Sequence, residues 1–219
     1  MASPLTSSRL VNSRILIPAL HQIPNPESSI PNLKIVGILL AAGSGSRFGG
    51  RKLLHRLQDG TPIGVASLRN LRKALPDVIA VVRTGDDELS ELLEREGAAV
   101  TFCEDAHLGM AHSLACAIRA SLNAKGWLIT LGDMPFVAPA TIGAVARGLE
   151  QSGGIVVPAY RGKSGLPVGF GSRFRAELLG LEGDEGARAV IRRHAQDVEI
   201  VDCDDAGILR DIDTPGDAA

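Results

Sequence analysis

The chain has 219 residues, 45% of them hydrophobic and 22% charged, which suits one α/β domain with a full core. A net charge of −2, with one Trp and one Tyr, provides no basic stripe and few aromatic rings for binding nucleic acid. No apolar run approaches the ~20 residues that a membrane-spanning helix needs. The three cysteines are odd in number and far apart, so we expect no disulfide framework, no metal cluster and a cytoplasmic location.

Residues 1–33 differ in composition from the rest of the chain. They contain Ser, Pro and Asn, the basic residues Arg9 and Arg14, and no acidic residue before Glu27. A transit peptide, an upstream start codon and a disordered tail all give such a composition. We expect residues 1–33 to be a disordered or non-native N-terminal extension and residues 34–219 to form a single domain.

Strand and helix patterns alternate along the first part of that domain. Continuous apolar runs predict strands that are buried on both faces, as in a parallel sheet. Pro62 suits a first helical position, and acidic residues suit the first turn of the next helix. The alternation predicts a three-layer, Rossmann-like α/β fold with a mostly parallel sheet. The predicted strands cover 35–42, 78–82, 98–103 and 127–131, and the predicted helices begin at 61, 86 and 110.

The second part of the chain is less regular and predicts a mixed half of the same sheet. Residues 53–57, nearer the start, are predicted to form a short extended piece, and residues 161–165 a turn between two strands. The remaining predicted helices are 141–151, 172–179 and 185–194, and the remaining predicted strands are 155–158, 167–170, 198–201 and 207–210.

A glycine-rich turn follows the first strand and carries three cations. Its glycines allow a tight turn with exposed N–H groups, which together with the cations indicates a polyphosphate site. The dinucleotide fingerprint fails because Phe48 stands where a small residue is needed. The P-loop pattern fails because Lys52 is one place late and is followed by Leu53. A turn with solvated charges is the alternative.

This stretch resembles the L-A-A-G-x-[GS]-x-R-[FM]-G-x-x-K loop of nucleotidyltransferases that act on small phosphorylated molecules. The resemblance implies that the loop wraps a nucleotide triphosphate, and that Arg47 and Lys52 hold it and act in catalysis. The nucleotide-binding residues that it implies here are Ala41, Ala42, Gly43, Gly45, Arg47 and Lys52.

An aspartate follows the strand 127–131 directly, in the sequence G-D-M-P. A carboxylate at the carboxyl end of a parallel strand lies where open α/β sheets bind ligands, and Mg²⁺ is its expected partner beside phosphates. The resemblance implies that Asp133 is this Mg²⁺ ligand and a catalytic residue. The alternative is that Asp133 only caps the next turn.

A second acidic cluster lies near the C-terminus, in the sequence D-I-D-T-P. Asp211 and Asp213 would point to the same side of an extended segment and complete the Mg²⁺ shell with Asp133. The family motif D-I-D-T-P favours Asp213 as the ligand. The alternative is a helix N-cap at Asp213 or Thr214, with Pro215 at the first helical position.

Two further segments match family motifs. In G-M-x-x-S-[LV], Gly109 and Ser113 are implied to contact the nucleotide base; an ordinary first-turn serine is the alternative. His107 and His112 lie nearby, and we expect them to be structural or solvated, because attack by an ionised phosphate needs no general base. In G-x-x-G-[HL]-P-V-x-F and G-D-x-G-A-R, the implied acceptor-binding residues are Gly165, Pro167 and Arg188; for Arg188 the alternative is a solvated helix pair with Glu185.

Together these segments are similar to the molybdenum cofactor cytidylyltransferase branch of the molybdopterin nucleotidyltransferase family. The resemblance implies an enzyme that transfers CMP from CTP to the phosphate of molybdopterin with Mg²⁺, releasing pyrophosphate, with a molybdenum hydroxylase apo-enzyme as recipient. Ala41-Ala42-Gly43 fits the cytidylyl branch. Leu166 stands where many members have His, which leaves a sugar or polyol phosphate acceptor open. A non-catalytic cofactor-binding chaperone is the remaining alternative.

Overall fold

The computed structural model describes residues 34–45, 48–183 and 186–218. The extension predicted at 1–33, and Arg47 in the glycine-rich turn, lie outside these residues. The strands are β1 Ile35–Leu40, β2 Val78–Arg83, β3 Ala99–Cys103, β4 Gly126–Leu131, β5 Ile155–Tyr160, β6 Lys163–Ser164, β7 Val168–Gly171 and β8 Val198–Asp202. The α-helices are α1 Ile63–Ala74, α2 Asp87–Arg95, α3 Met110–Arg119, α4 Pro139–Ser152, α5 Arg175–Leu179 and α6 Arg188–Arg193.

The strands form one mixed sheet in the order β3-β2-β1-β4-β7-β5-β6, and β8 pairs with β5. Strands β1 to β4 are mutually parallel, whereas β7 is antiparallel to both β4 and β5. The pairing of β8 with β5 is again parallel. The predicted α/β fold, with a mostly parallel sheet and a mixed second half, is confirmed.

Helices cover both faces of the sheet. Leu39 of β1 belongs to the apolar cluster that includes buried residues of α1, α2 and α4, and Ile38 belongs to the cluster on the other face with residues of α3, α5 and α6. Trp127 of β4 is fully buried on the second face, where its indole N–H donates to Ser121 Oγ at 2.9 Å. Each large apolar side chain buried in this way contributes about 1.5–3 kcal/mol, which is why the central strands are apolar along their whole length.

Two loops start at the same level on the carboxyl edge of the sheet. Strands β1 and β4 are parallel neighbours in which Leu40 lies opposite Leu131. The N–H of Gly132 donates to the carbonyl oxygen of Leu40 at 2.9 Å, which extends the pairing by one step. Because the chain leaves both strands here, the glycine-rich turn and Asp133 lie side by side.

Two short strands expected from the sequence are one-turn helices instead. The segment predicted as extended at 53–57 begins with the 3₁₀ helix Lys52–Leu54, and the predicted strand 207–210 is the 3₁₀ helix Ala206–Leu209. The second helix is capped by Asp205, whose carboxylate accepts from the N–H of Gly207 at 2.9 Å. A side-chain cap of this kind favours a turn over an extended strand.

Smaller differences occur at the helix ends and in one turn. Pro62 is the residue before α1 and not its first helical residue. Met110 and Leu122 are 41% and 46% exposed, although both are large apolar residues. Residues 161–165 form the expected turn, but include the two-residue strand β6. None of the helices in the described parts of the chain is long and apolar enough to span a membrane.

Candidate active site

Lys52 and Asp133 form an ion pair at the carboxyl edge of the sheet. Lys52 begins the helix Lys52–Leu54, and Nζ donates to Asp133 Oδ2 at 2.5 Å. The two side chains are only 13% and 18% exposed. The second carboxylate oxygen of Asp133 is buried and has no hydrogen-bond partner among the residues that the structure describes. A buried carboxylate oxygen needs a partner, so this atom indicates the position of a cation.

Asp213 approaches the same lysine from the C-terminal segment. Its Oδ1 lies 3.7 Å from Lys52 Nζ. The N–H of Ile212 donates to the carbonyl oxygen of Asp133 at 2.9 Å, which fixes this segment beside the end of β4. Two carboxylates from distant parts of the chain, Asp133 and Asp213, therefore lie within 4 Å of one ammonium group.

Asp217 holds the backbone of the segment that carries Asp213. Its Oδ2 accepts hydrogen bonds from the N–H and the hydroxyl of Thr214 at 2.7 and 2.8 Å, and from the N–H of Asp213 at 3.2 Å. These bonds, those of Thr214 first, lower the pKa of Asp217. Pro215 begins the 3₁₀ helix Pro215–Ala218, as the alternative interpretation of this segment expects. The side chain that accepts the hydrogen bonds at this helix start is that of Asp217, however, and not that of Asp213 or Thr214.

The donor set of this site suits a metal ion that is shared with phosphates. Within the described ranges, no three His, Cys, Asp or Glu side chains are grouped so that they could hold a metal ion. Asp133 and Asp213 would thus supply two carboxylates, and the remaining ligands would come from substrate oxygens and water. Mg²⁺ binds in this manner, through one or two carboxylates together with phosphates. The residues present fit such an ion.

A cavity of about 430 Å³ opens beside the ion pair. Gly43 borders open space, because a Cβ added there would meet no atom within 4 Å. Gly45 has φ +59°, a conformation that glycine adopts without strain. Ala41, by contrast, is buried in the core on the α1 face of the sheet and does not line the cavity. The predicted nucleotide-binding residues that do line it are Ala42, Gly43, Gly45, Lys52, Gly109 and Ser113.

The N-terminus of α3 forms the opposite wall of this cavity. Gly109 precedes the helix with φ 124°, and Ser113 in the first turn is 5% exposed and lines the cavity. The N–H groups and the dipole of a helix N-terminus attract anions. His107, which we expected to be structural or solvated, also borders the cavity, and its Nδ1 lies 3.2 Å from the carbonyl oxygen of Glu104.

A second and larger cavity, of about 840 Å³, adjoins the first. The two share Leu40, Met110 and Leu131, so they meet directly above the ends of β1 and β4. Most of its lining is aliphatic. Its charged side chains, in the part of the chain that the structure describes, are Arg188, Arg192 and Asp211.

Only some of the predicted acceptor-binding residues line this cavity. Gly165 and Arg188 line it, whereas Pro167 is buried beside it and does not. At Gly165 an added Cβ would lie 2.3 Å from the carbonyl oxygen of Ile208, so only glycine fits. Leu166, the residue that departs from the family pattern, also lines the cavity.

Sequence reasoning missed three features of the site. Met110 lies at the junction of both cavities, and Arg192 follows Arg188 by one helical turn on α6. The i, i+4 spacing of the two arginines was the available signal for Arg192. Asp211 lines the larger cavity, while Asp213 lies beside Lys52, so the two side chains have different surroundings, although their period of two predicted a common side.

This arrangement at the carboxyl edge of the sheet suits the binding of a nucleotide beside a second substrate, as a nucleotidyltransferase requires. Residues 37–198 match the model of the MobA-like NTP transferase domain, and the chain belongs to this family.

Relatives and solved structures agree with this assignment. The chain is 30% identical over 192 residues to the purine catabolism protein PucB of Bacillus subtilis, covering 83% of this chain and 92% of that protein. It is 30% identical to a probable molybdenum cofactor guanylyltransferase of Thermococcus gammatolerans, over 54% of this chain and 59% of that protein. The structure of Rv0371c from Mycobacterium tuberculosis superposes with a TM-score of 0.74 at 30% identity, covering 85% and 95% of the two chains. A manganese complex of Rv0371c superposes with a TM-score of 0.66 at 28% identity, over 78% and 89%.

Proposed function

We propose that this enzyme transfers CMP from CTP to the phosphate of a molybdopterin-type cofactor, with Mg²⁺, and releases pyrophosphate. The observation that carries the proposal is the ion pair between Lys52 and Asp133, which lines the smaller of two adjoining cavities. One cavity has the anion-binding turn and helix N-terminus that a triphosphate needs. The other has room for a large acceptor, and both open onto the place where the phosphates would react.

The smaller cavity supports the nucleotide part of the proposal. Gly43 and Gly45 line this cavity together with Lys52, and a glycine-rich turn beside a lysine is a combination that binds phosphate oxygens. Ala42 and Ser113 are small side chains that border the space left for a base. The preference for CTP rests on the sequence Ala41-Ala42-Gly43, and we propose that Ala42 and Ser113 select the base.

The lining of the larger cavity favours a pterin over a sugar or polyol phosphate. A polyol would bring several hydroxyl groups that need hydrogen-bond partners once they leave water. The residues that line the cavity are mainly Leu, Ile, Val and Met, and its polar side chains are those of Ser164, Arg188, Arg192 and Asp211. A planar ring with a few polar edge groups matches this lining better, because ligand sites are mostly apolar with a small number of placed polar groups. A molybdopterin-type acceptor is therefore the first candidate.

The reaction itself is a displacement at phosphorus. An oxygen of the acceptor phosphate attacks the α-phosphorus of CTP, a new P–O bond forms, and pyrophosphate leaves with the electron pair of the broken bond. Asp133 and Asp213 would hold a divalent cation that neutralises charge on the reacting phosphates. Lys52, released from Asp133 once the carboxylate binds the cation, would bind the phosphates in the same cavity. Positioning and electrostatics supply the rate, and no covalent enzyme intermediate is needed.

The test is pyrophosphate release with Mg²⁺, purified molybdopterin-type cofactor and CTP, GTP, ATP or UTP in turn. Release with CTP alone is the expected result. Release with GTP instead would retain the transferase and overturn the cytidylyl preference. The Asp133→Asn variant, prepared in the same way, measures the background from contaminating enzymes.

Other acceptors separate the remaining candidates. If all four nucleotides fail with the pterin, release with a sugar phosphate or a polyol phosphate would replace the acceptor in the proposal. If no acceptor supports release but the cofactor binds tightly in equilibrium dialysis, the protein is a cofactor-binding chaperone and the proposed reaction is wrong.

A further inference from the structure

Helix α1 contacts the turn that carries Asp133 through two polar side chains. Ser67 is 3% exposed, and its hydroxyl donates to the carbonyl oxygen of Gly132 at 2.8 Å. The side-chain amide of Asn70 donates to the carbonyl oxygen of Pro135 at 2.8 Å. Because the two residues are three positions apart, they lie on one side of the helix. They hold the turn at the residue before Asp133 and at the second residue after it.

The hydroxyl of Ser67 has two acceptors within reach and only one hydrogen to donate. The carbonyl oxygen of Ile63, one turn earlier in α1, lies 3.2 Å from Oγ, whereas that of Gly132 lies 2.8 Å away. The contact with Gly132 is therefore the better hydrogen bond. A serine that served only its own helix would donate to Ile63. The hydroxyl thus connects α1 to the end of β4.

The hydrogen bond to Gly132 bears directly on the orientation of Asp133. The carbonyl group of Gly132 and the N–H group of Asp133 belong to one planar peptide unit. The N–H of Gly132 is held by Leu40 at 2.9 Å. The carbonyl oxygen of Asp133 accepts from Ile212, also at 2.9 Å. With Ser67 in place, the backbone is held on both sides of the Asp133 Cα, so the side chain leaves it in a fixed direction.

Helix α1 also supports the short helix that begins with Lys52. The N–H of Ile63 donates to the carbonyl oxygen of His55 at 2.9 Å. Gly64 packs against Leu53, where an added Cβ would lie 3.2 Å from the Leu53 Cβ. One helix is therefore attached to both segments that form the ion pair of the site, and it sets their relative position.

We propose that Ser67 and Asn70 are positioning residues that hold the carboxylate of Asp133 where it binds the divalent cation. The inference rests on the proposed function, since it requires that Asp133 holds this cation. Neither Ser67 nor Asn70 is among the described residues that line the two cavities, so both act through the backbone of the turn. Removing a group that orients a metal ligand typically lowers metal affinity or activity about 10- to 100-fold.

The test measures the affinity for Mn²⁺ alone, by electron paramagnetic resonance, in Ser67→Ala, Asn70→Ala and the matched control Ser90→Ala. Ser90 is also a buried serine, 5% exposed, and its hydroxyl donates to the carbonyl oxygen of Asp87 in α2 at 2.9 Å. We expect the Kd for Mn²⁺ to rise about tenfold in Ser67→Ala and several-fold in Asn70→Ala. The Kd should keep its wild-type value in Ser90→Ala, because that hydroxyl does not contact the turn.

Chemical denaturation of the same variants separates positioning from a general loss of stability. Both serine variants remove a buried hydroxyl that donates to a backbone carbonyl, so both are expected to unfold more easily than the wild type. The Kd values are compared under conditions in which every variant is folded. If Ser67→Ala does not fold, Asn70→Ala tests the proposal at a position that is less buried.

The measurement of Mn²⁺ affinity needs neither acceptor nor turnover, so it distinguishes failure of this inference from failure of the proposed reaction. A raised Kd in Ser67→Ala and Asn70→Ala supports the inference even where no pyrophosphate is released. Unchanged affinity in both variants would overturn it, as would equal weakening in Ser90→Ala. If the wild type bound no Mn²⁺, or if Asp133→Asn bound it as tightly as the wild type, no cation would lie on Asp133 and the inference would be wrong.

Discussion

The N–H of Ile212 donates a hydrogen bond of 2.9 Å to the carbonyl oxygen of Asp133. The side chain of Ile212 is fully buried in a small apolar cluster with Ile63 and Ala218. Both the backbone and the side chain of Ile212 therefore hold this residue in place. It places the C-terminal segment against the end of β4 and sets the carboxylate of Asp213 beside Lys52. The geometry of the site therefore depends on a contact between the middle and the end of the chain.

Asp133→Asn is expected to lower the rate of nucleotidyl transfer by on the order of 10²–10³, the usual cost of losing one electrostatic contact in the transition state. Asparagine keeps the shape but not the charge that a cation and Lys52 require. Turnover at saturating substrates and Mn²⁺ binding followed by electron paramagnetic resonance are the measurements. Asp204→Asn, which alters an exposed carboxylate that lines neither cavity, is the control. Wild-type turnover in Asp133→Asn would show that the assigned role is wrong.

Asp217→Ala is expected to weaken metal binding without abolishing turnover. The hydrogen bonds of Asp217 to residues 213 and 214 hold the segment that carries Asp213, so its loss would loosen Asp213 while leaving Asp133 in place. The apparent Kd for Mn²⁺ should rise several-fold, while kcat at saturating metal changes little. Asp217→Asn retains an oxygen that accepts from Thr214 and should recover most of the affinity.

The lowered pKa of Asp217 fixes the direction in which pH changes the stability that its hydrogen bonds contribute. The pKa of Asp217 is lowered in the folded protein, so its stabilising contribution is present above the ordinary value of 3.8 and is lost as the pH falls through the lower folded value. Metal binding at neutral pH should therefore show no titration of this group. A loss of Mn²⁺ affinity between pH 6 and 7 that disappears in Asp217→Asn would contradict this account.

Residues of the site that come directly after a strand could be placed from the sequence. Asp133 comes directly after an apolar strand, and parallel topology alone brings it to the edge where Gly43 lies. The direction in which the Lys52 side chain points could not be predicted, because the helix Lys52–Leu54 depends on contacts with distant residues. Leu53 fills the space beside Gly64 and Gly132, where an added Cβ would lie 3.2 and 3.0 Å from its side chain.

The C-terminal aspartates show the opposite case. Their period of two predicts a common side only if the segment is extended, and residues 211–214 are not part of a strand. The hydrogen bond from Ile212 to Asp133 and the cap at Asp217 impose a different backbone. Asp213 consequently meets Lys52, while Asp211 lines the acceptor cavity. No local pattern contains these long-range constraints.

Cys116 is expected to react slowly with iodoacetamide in the native protein, although it is partly exposed. Burial, followed by the contact of its Sγ with Cys103 Sγ at 2.8 Å, raises the pKa of Cys116 to about 12. The reactive thiolate is then about one part in ten thousand at pH 8, and it should increase tenfold per pH unit up to that pKa. Mass spectrometry of labelled peptides at several pH values measures this rate. Denatured protein is the control, and equal labelling rates in the native and denatured chains would contradict the prediction.

Substitutions at two glycines of the anion-binding turn are expected to affect protein stability and CTP affinity to different extents. At Gly43 an added Cβ meets no atom within 4 Å, and φ is not in the left-handed region. Gly43→Ala should therefore leave the free energy of unfolding within about 0.5 kcal/mol of the wild type. The methyl group would nevertheless occupy the space where a triphosphate approaches the backbone, so CTP affinity should fall at least tenfold.

Gly45→Ala is the matched comparison, because it alters the same turn but strains the protein itself. Gly45 has φ +59°, and the new Cβ would lie 3.1 Å from Cβ of Lys52. A left-handed conformation costs an alanine about 1–2 kcal/mol, so this variant should lose stability as well as CTP affinity. Chemical denaturation and calorimetric titration of both variants with CTP and Mg²⁺ provide the test. If Gly43→Ala bound CTP as the wild type does, the triphosphate would not pass over this turn, and the nucleotide site would have to be placed elsewhere along the cavity.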